Sequence, residues 1–381
     1  MTKTESSPEN SDHARLRLVA WEITKSCNLH CAHCRGSAHS GPYHGELSRE
    51  ECFALINDIL KVGRPILILT GGEPLKREDF FDVAGYAAGK GIRVVVGSNG
   101  TLITKEIATR MKTVPISRLG ISLDFPNREL QDKFRGSPGA FDAALAGIEC
   151  ARNAGIEVQI NSTITRLNTH YLDALIALAL NVGAVAFHPF LLVPTGRGQG
   201  LQEHVLSAQE YEHLLIQIYE KQQQLGNRLF FKPTDAPSYM RVLHQQEMLR
   251  RSPEQNQPSA DTNIRHADHG SMNSMSRGCL GGISFCFISH VGRVQGCGYL
   301  DVEAGNIREQ PFHQIWQHSP LFYQLRDYSL IKGKCGICEY KMVCGGCRAR
   351  AYEATGDYLA AEPYCLYQPH GDNSYVAGLY R

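Results

Sequence analysis

Lys25-Ser-Cys-Asn-Leu-His-Cys-Ala-His-Cys-Arg35 follows directly on the strand-like run Arg17-Leu-Val-Ala-Trp-Glu-Ile-Thr24. It carries three cysteines, Cys27, Cys31 and Cys34, spaced by three and then two residues. Thiolates hold cubane iron–sulfur clusters one iron at a time, so a triplet leaves one of the four irons without a protein ligand. An open coordination position is what separates a catalytic metal site from a closed structural one. The same residues also admit a zinc knuckle completed by His30 or His33, or three buried thiols that merely lie close together.

Outward from this stretch, short β-branched runs alternate with longer amphipathic ones as far as Pro194, the pattern of repeated βα units around a parallel sheet. The spacing predicts strands at Arg17–Thr24, Ile66–Thr70, Arg93–Gly97, Ser117–Asp124, Glu157–Thr163 and Val185–Val193. Helices are predicted near Arg49–Val62, Glu78–Lys90, Lys105–Lys112, Ala140–Ala154 and Thr169–Asn181, the first opened by a capping box of Ser48 and Glu51. Six such units fit an α/β fold of the partial (β/α)6, TIM-like kind, in which chemistry gathers at the C-terminal ends of the strands. A further helical stretch, Ala208–Leu225, follows. Arg250–Arg277 is polar, and its His266 and His269 read as solvated linker residues. The resulting division is a disordered tail at 1–15, a barrel at 16–206, a helical bridge and mobile linker at 207–275, and a cysteine-rich domain at 276–381.

Composition narrows the class. The chain has 381 residues, 43% hydrophobic and 20% charged, with a formal charge of +1, so a basic nucleic-acid-binding surface is not expected. No apolar stretch approaches the roughly 18 residues of a membrane span, and the polar start lacks the apolar core of a secretory signal. Thirteen cysteines, several in C-x-x-C pairs, point to metal in a reducing, oxygen-poor cytoplasm rather than to disulfides. Cys52 and Cys150 fall on predicted helices and read as core thiols.

At the end of the second predicted strand stands Thr70-Gly-Gly-Glu-Pro74. Its glycines permit close backbone approach, and the Glu73 carboxylate could pair a cationic amine. With the cysteine triplet and the aromatic His33 before its last cysteine, this resembles the radical S-adenosylmethionine (SAM) superfamily. The resemblance implies a [4Fe-4S] cluster on Cys27, Cys31 and Cys34 whose open iron chelates SAM, and reductive cleavage to a 5'-deoxyadenosyl radical. It further implies SAM contacts from His33, Gly71, Gly72, Glu73 and Pro74. Ser98, Asn99, Ser122, Asp124 and Asn161 would meet the ribose and carboxylate of SAM, or else cap helices.

The C-terminal cysteines are Cys279, Cys286, Cys297, Cys335, Cys338, Cys344, Cys347 and Cys365, with Gly292 five positions before Cys297. They permit a pair of zinc ribbons. They also resemble the SPASM-type auxiliary cluster domain, and eight thiols are the number that fully ligates two cubanes. The resemblance assigns Cys335, Cys338, Cys344 and Cys365 to an outer cluster, and Cys279, Cys286, Cys297 and Cys347 to an inner one. Cys286 is the least secure member, with Asp235 or an open iron as its substitute. The two-residue gap between Cys344 and Cys347 departs from the usual three.

Phe187-His-Pro-Phe-Leu-Leu-Val-Pro-Thr-Gly-Arg-Gly198, Arg277–His290 and Cys344–Tyr352 resemble the heme b synthase family of the siroheme-dependent pathway, a likeness running from about Leu16 to Pro369. It extends more loosely to relatives acting on heme d1 precursors or didecarboxysiroheme. The resemblance implies oxidative decarboxylation of two propionates of Fe-coproporphyrin III to vinyl groups, with electrons from a low-potential donor such as ferredoxin or flavodoxin. A tetracarboxylate macrocycle calls for cationic anchors and a roomy cavity. Arg197 and Lys232 are the expected anchors, His188 an iron ligand or proton donor, and Tyr299 a proton relay. By the same resemblance, many relatives carry cysteine where this chain has Asp235. A peptide-modifying or sulfatase-maturing relative is the competing reading, disfavoured by the shortness of the segment before the first strand.

Overall fold

The computed structural model describes residues 15–250 and 277–370. Nearly all of the expected tail, and the linker with His266 and His269, lie outside the described residues.

Strands whose outward residues are buried under helices build the sheet, and in β3, β4 and β6 nearly every residue is buried. β1 (Leu18–Thr24), β2 (Ile66–Gly71), β3 (Arg93–Ser98), β4 (Arg118–Ser122), β5 (Glu157–Ile164) and β6 (Ala186–Leu191) pair in parallel, in sequence order. On β1 the outward residues Val19, Trp21 and Ile23 are buried under the helices, and β5 alternates along its whole length. Covering the outer face are α1 (Arg49–Ile59), α2 (Phe80–Gly89), α3 (Lys105–Thr113), α4 (Arg128–Arg135), α5 (Ala140–Asn153) and α6 (Leu172–Asn181). The Ser48–Glu51 capping box forms as expected.

This is the partial (β/α)6 barrel, and the sheet is longer than six strands. After α7 (Ala208–Leu225), β7 (Phe230–Phe231) joins β6 in parallel, and α8 (Ser238–Arg250) follows. At the other edge β8 (Phe285–Ile288) pairs in parallel with β1, followed by antiparallel β9 (Arg293–Gln295) and β10 (Glu303–Asn306). The final order is β10-β9-β8-β1-β2-β3-β4-β5-β6-β7. The C-terminal cysteine-rich region thus hydrogen-bonds directly onto the first strand of the barrel. Its helices are α9 (Phe312–His318), α10 (Pro320–Arg326), α11 (Gly333–Gly336) and α12 (Arg348–Thr355).

A closed eight-stranded barrel fills its interior with layers of bulky side chains. Here many of the inward positions are small or polar, among them Ala20, Gly97, Gly120, Gln159, Asn161 and His188, and a cavity of about 760 Å3 is left between them and the apolar ones.

α1 and α9 are tied by Asp58, whose carboxylate accepts from His313 N at 2.8 Å and Nδ1 at 2.7 Å and meets Lys61 Nζ at 2.9 Å. Burial alone would raise this carboxyl's pKa, but the bonds from Lys61 and His313 outweigh it and hold it below the ordinary range. A depressed carboxylate stabilises the fold above its unfolded pKa, and the contribution is lost as pH falls through the folded value. We expect Asp58→Ala to cost about 1–3 kcal/mol in anaerobic thermal melts at neutral pH. The difference from the parent protein should shrink as the pH is lowered below 4.

Candidate active site

Three elements pin the cysteine loop that follows β1. The C-terminal turn of α4, with Asn127 as its N-cap and Gly136 as its left-handed C-cap, offers its carbonyls to the loop. His30 N donates to Arg135 O at 3.2 Å and Ala32 N to Phe134 O at 2.9 Å, so carbonyls left unpaired at a helix end are satisfied by the loop itself. Arg197 supplies the second hold: its N donates to Cys34 O at 3.0 Å, Nε to Cys31 O at 2.9 Å and Nη1 to Ala38 O at 2.7 Å. The third is the end of β2, where Gly72 N donates to Thr24 O at 2.9 Å and Glu73 N to Ser26 O at 2.8 Å. A Cβ on Gly71 would lie 2.0 Å from Thr24 O, and one on Gly72 2.4 Å from Ser26 O. The close approach that requires these glycines is therefore to the chain's own backbone.

Cys27 and Cys31 are buried and Cys34 is partly so. Burial pushes the Cys27 thiol up to about 11, and neighbouring Glu73, Cys31 and Cys34 push the same way. Arg135 Nη1 donates to Cys31 Sγ at 3.8 Å, and its Nη2 lies 2.5 Å from Asp124 Oδ2. His33 stacks on Phe134 with ring centres 4.6 Å apart. Its Nδ1 and Arg197 Nη2 are buried without partners.

Glu73 is fully buried. Its carboxylate accepts from Ser98 Oγ at 2.9 and 3.0 Å and from Asn99 N at 2.8 Å. No cation pairs with it among the described residues. Burial raises its pKa to about 7 against those hydrogen bonds. Asn99 also reaches Cys27 Sγ at 3.9 Å and Asn28 Oδ1 at 2.9 Å. A buried carboxylate with no cation paired to it among the described residues, beside three gathered thiols, fits a cluster that chelates a cationic amine.

The cavity runs from Arg15, Arg17, Arg64, Arg93 and Arg118 at the N-terminal ends of the strands to Thr70, Gly71 and Arg35 at their C-terminal ends. Lys232, Asn161, His188 and Tyr299 also line it, and Ser122 shares the inward face of β4 with Arg118 and Gly120. Gln159 Nε2 donates to Asn161 Oδ1 at 3.0 Å and meets His188 Nδ1 at 3.2 Å. With Nδ1 accepting, the hydrogen of His188 sits on Nε2, which is buried without a partner. Burial, with Lys232 and Arg118 adding to it, pulls the His188 pKa well below the usual value, so the ring is a neutral donor. Arg35 spans the two halves of the site: Nη2 lies 2.7 Å from Glu22 Oε2 and Nη1 donates to Gly298 O at 3.1 Å. Burial and Asp235 raise the Tyr299 hydroxyl pKa above its ordinary value.

The C-terminal thiols fall into two groups that feel one another's charge. Cys335, Cys338, Cys344 and Cys365 form one, and Cys279, Cys297 and Cys347 the other, with Asp235 beside the latter. Gly345 and Gly346, at φ of 74° and 63°, make the turn that sends Cys344 to one group and Cys347 to the other. This explains how a two-residue gap suffices. Among the described residues no three His, Cys, Asp or Glu side chains converge on a single metal ion, as a zinc knuckle or ribbon requires.

Three expected roles are corrected by these placements. Cys286 lies on β8 opposite Val19, fully buried in the hydrophobic core and away from both thiol groups. Strand alternation turns it outward, toward the core, while Phe285 and Phe287 line the cavity. Arg197 braces the cysteine loop and does not line the cavity, so it is no substrate anchor. Asp124 is fully buried, accepting from Thr163 N at 2.7 Å and holding Arg135. It is thus a positioning residue for Cys31 and not a SAM contact. Arg35, Arg135 and the ring of arginines were not among the expected residues; the Asn127-to-Gly136 capping pair was the signal that would have disclosed α4 and Arg135.

Residues 21–179 match the radical SAM superfamily model, and residues 279–348 match SPASM, an iron–sulfur cluster-binding domain. The chain is 49% identical over 353 residues to an AdoMet-dependent heme synthase of Methanosarcina barkeri, covering 93% of this chain and 97% of that one. It is 34% identical to the Fe-coproporphyrin III synthase of the same organism, across 91% of this chain and 87% of the other. Among solved structures, Streptococcus suis SuiB bound to S-adenosylmethionine superposes with a TM-score of 0.69 at 15% identity, over 93% of this chain and 78% of its own. That last likeness speaks to the fold alone.

With burial holding the Glu73 pKa up to about 7, a role of its carboxylate in pairing the ammonium of SAM predicts that SAM affinity rises between pH 6 and pH 8. Glu73→Gln should abolish that dependence and weaken binding by about 10- to 100-fold in equilibrium titrations of the reconstituted protein. Cys286→Ala should keep its full iron content, whereas Cys297→Ala should lose about four irons per chain.

Proposed function

The chain belongs to the radical SAM superfamily and carries a SPASM iron–sulfur domain, and from that we propose that it is a heme synthase converting Fe-coproporphyrin III to heme b. Each of two propionates would lose one hydrogen atom, one carbon dioxide and one electron to become a vinyl group. When bound, the SAM-ligated cluster supplies hydrogen abstraction, and the auxiliary clusters supply an electron acceptor.

The observation that carries this reading is the cavity. At about 760 Å3 it falls within the range of cofactor-sized sites, and it opens between SAM-facing residues at one end and five arginines at the other. Its walls are apolar at Ile66, Ile68, Val95, Phe190, Phe285 and Phe287, as the faces of a macrocycle require. Lys232 and Arg118, the latter 2.7 Å from Glu157, set cations where peripheral carboxylates would lie. His188 Nε2–H is a fixed neutral donor inside the cavity and can orient a propionate without adding charge. Tyr299 borders both Cys34 and Cys297, where a proton at its hydroxyl stays in place at neutral pH. Ferredoxin or flavodoxin is the proposed electron donor.

Anaerobic incubation with SAM, a reductant and Fe-coproporphyrin III should yield protoheme and 5'-deoxyadenosine. Turnover of didecarboxysiroheme or of a peptide in place of this porphyrin would overturn the assignment. Lys232→Ala should raise KM for the porphyrin by about 10-fold or more, while SAM cleavage without substrate stays unchanged.

A further inference from the structure

We propose that the carboxylate of Asp235 is the fourth protein ligand of the iron–sulfur cluster held by Cys279, Cys297 and Cys347. The inference concerns the cluster-binding domain and holds whatever substrate the enzyme takes.

Counting ligands raises the question. With Cys286 packed in the core on β8, the thiol group that lines the cavity has three members, while the other group has four. Asp235 lines the cavity with those three thiols, and its charge is felt by both Cys297 and Cys347.

The backbone at this position is committed to placing the side chain there. Among the described residues, Asp235 is one of the few non-glycine ones in the left-handed region, at φ 57°, a conformation that aspartate and asparagine adopt more readily than other side chains. Flanking bonds hold it in place. Thr234 N donates to Pro189 O at 2.8 Å, Leu191 N donates to Thr234 O at 3.1 Å, and Arg350 Nη2 donates to the carbonyl of Asp235 itself.

The carboxylate nonetheless has no hydrogen-bond partner among the described residues. Its Oδ2 is shut off from solvent and makes no hydrogen bond. The two cations near it are engaged elsewhere: Arg35 with Glu22 at 2.7 Å and Arg350 with Glu362 at 3.1 Å. Both guanidiniums act on the carboxylate only from a distance, so a buried carboxylate oxygen set beside three thiols is left without a hydrogen bond, an arrangement that costs free energy unless a cation lies among them. Four-iron clusters accept ligands other than cysteine, and carboxylate oxygen is a competent donor to iron.

The test uses the full-length protein, reconstituted anaerobically with its clusters and saturated with SAM so that the N-terminal cluster has no open position. Reduced samples are treated with 13C-cyanide and examined by pulsed paramagnetic resonance, with iron counted in parallel. The parent protein should show no 13C coupling. Asp235→Ala should either show coupling on an auxiliary cluster or lose about four irons, and Asp235→Cys should restore both iron and the uncoupled state. Coupling in the parent, or an Asp235→Ala protein indistinguishable from it, would overturn the proposal. Should both variants fail to fold, Asp235→Asn tolerates the same φ and decides the matter. Altered auxiliary g-values support ligation, and unchanged ones refute it. Porphyrin turnover is not read in any arm, so failure here is separate from failure of the heme-synthase assignment.

Discussion

Thiolates gathered in an apolar interior repel one another and lose the solvation they would have in water, so the protein must hold fixed positive charge close to them. Three buried arginine–carboxylate pairs do this. Arg135 with Asp124 stands against Cys31, Arg35 with Glu22 joins the N-terminal loop to the Cys297 turn, and Arg350 with Glu362 lies behind Cys347. In each pair the carboxylate takes part of the guanidinium and leaves other N–H groups free to hold the surroundings: Cys31 Sγ for Arg135, the carbonyl of Gly298 beside Cys297 for Arg35, and the carbonyl of Asp235 for Arg350. Buried ion pairs contribute little net stability, since desolvation offsets most of the attraction. Their presence beside each thiol group is better understood as positioning: a guanidinium clamped on one edge has a single orientation left for the other.

The sheet connects these posts. β1 lies between β2 and β8, so the strand that delivers the first cysteine loop is also the strand onto which the C-terminal region folds. Pairing of Leu18 with Phe285 and Trp21 with Ile288 fixes the register between the two regions. That register sets Gly298 O within 3.1 Å of Arg35. A one-residue slip would turn Phe285 and Phe287 from the cavity and bring Cys286 into it, so the pairing register of β8 on β1 decides which sulfurs can meet iron.

Which face a strand residue occupies also explains what could be read in advance. β1 to β6 were legible because their outward residues are mostly apolar, with Ser98 and Ser162 as exceptions, and the observed bounds differ from the expected ones by at most two residues. The cysteine loop and the Gly-Gly-Glu-Pro turn were legible because their chemistry is local. α4 was missed: at eight residues and mostly charged, it lacks the apolar stripe that marks a helix, and only its caps betray it. Cys286 was misplaced for the opposite reason. Cysteines counted along a chain look alike, and a core thiol on a strand is told from a ligand only by which face it occupies. The arginine ring was hidden because its members enter from four strands separated by many residues, and only closure of the sheet collects them.

Iron, on this view, is part of the charge balance of the folded state. Burial raises the Cys27 thiol to about 11 and those of Cys344 and Cys347 to about 12, so without metal these groups hold their protons at neutral pH. Ligation requires thiolates, and each cluster that enters must therefore expel protons from a site built to retain them. Glu362 links the two auxiliary groups in this exchange, accepting from Cys347 N at 2.6 Å while its own N donates to Cys335 Sγ at 3.3 Å. A change in charge at one group is felt through this residue at the other. Glu362 and the glycine turn between Cys344 and Cys347 are thus two places where one auxiliary thiol group is joined directly to the other.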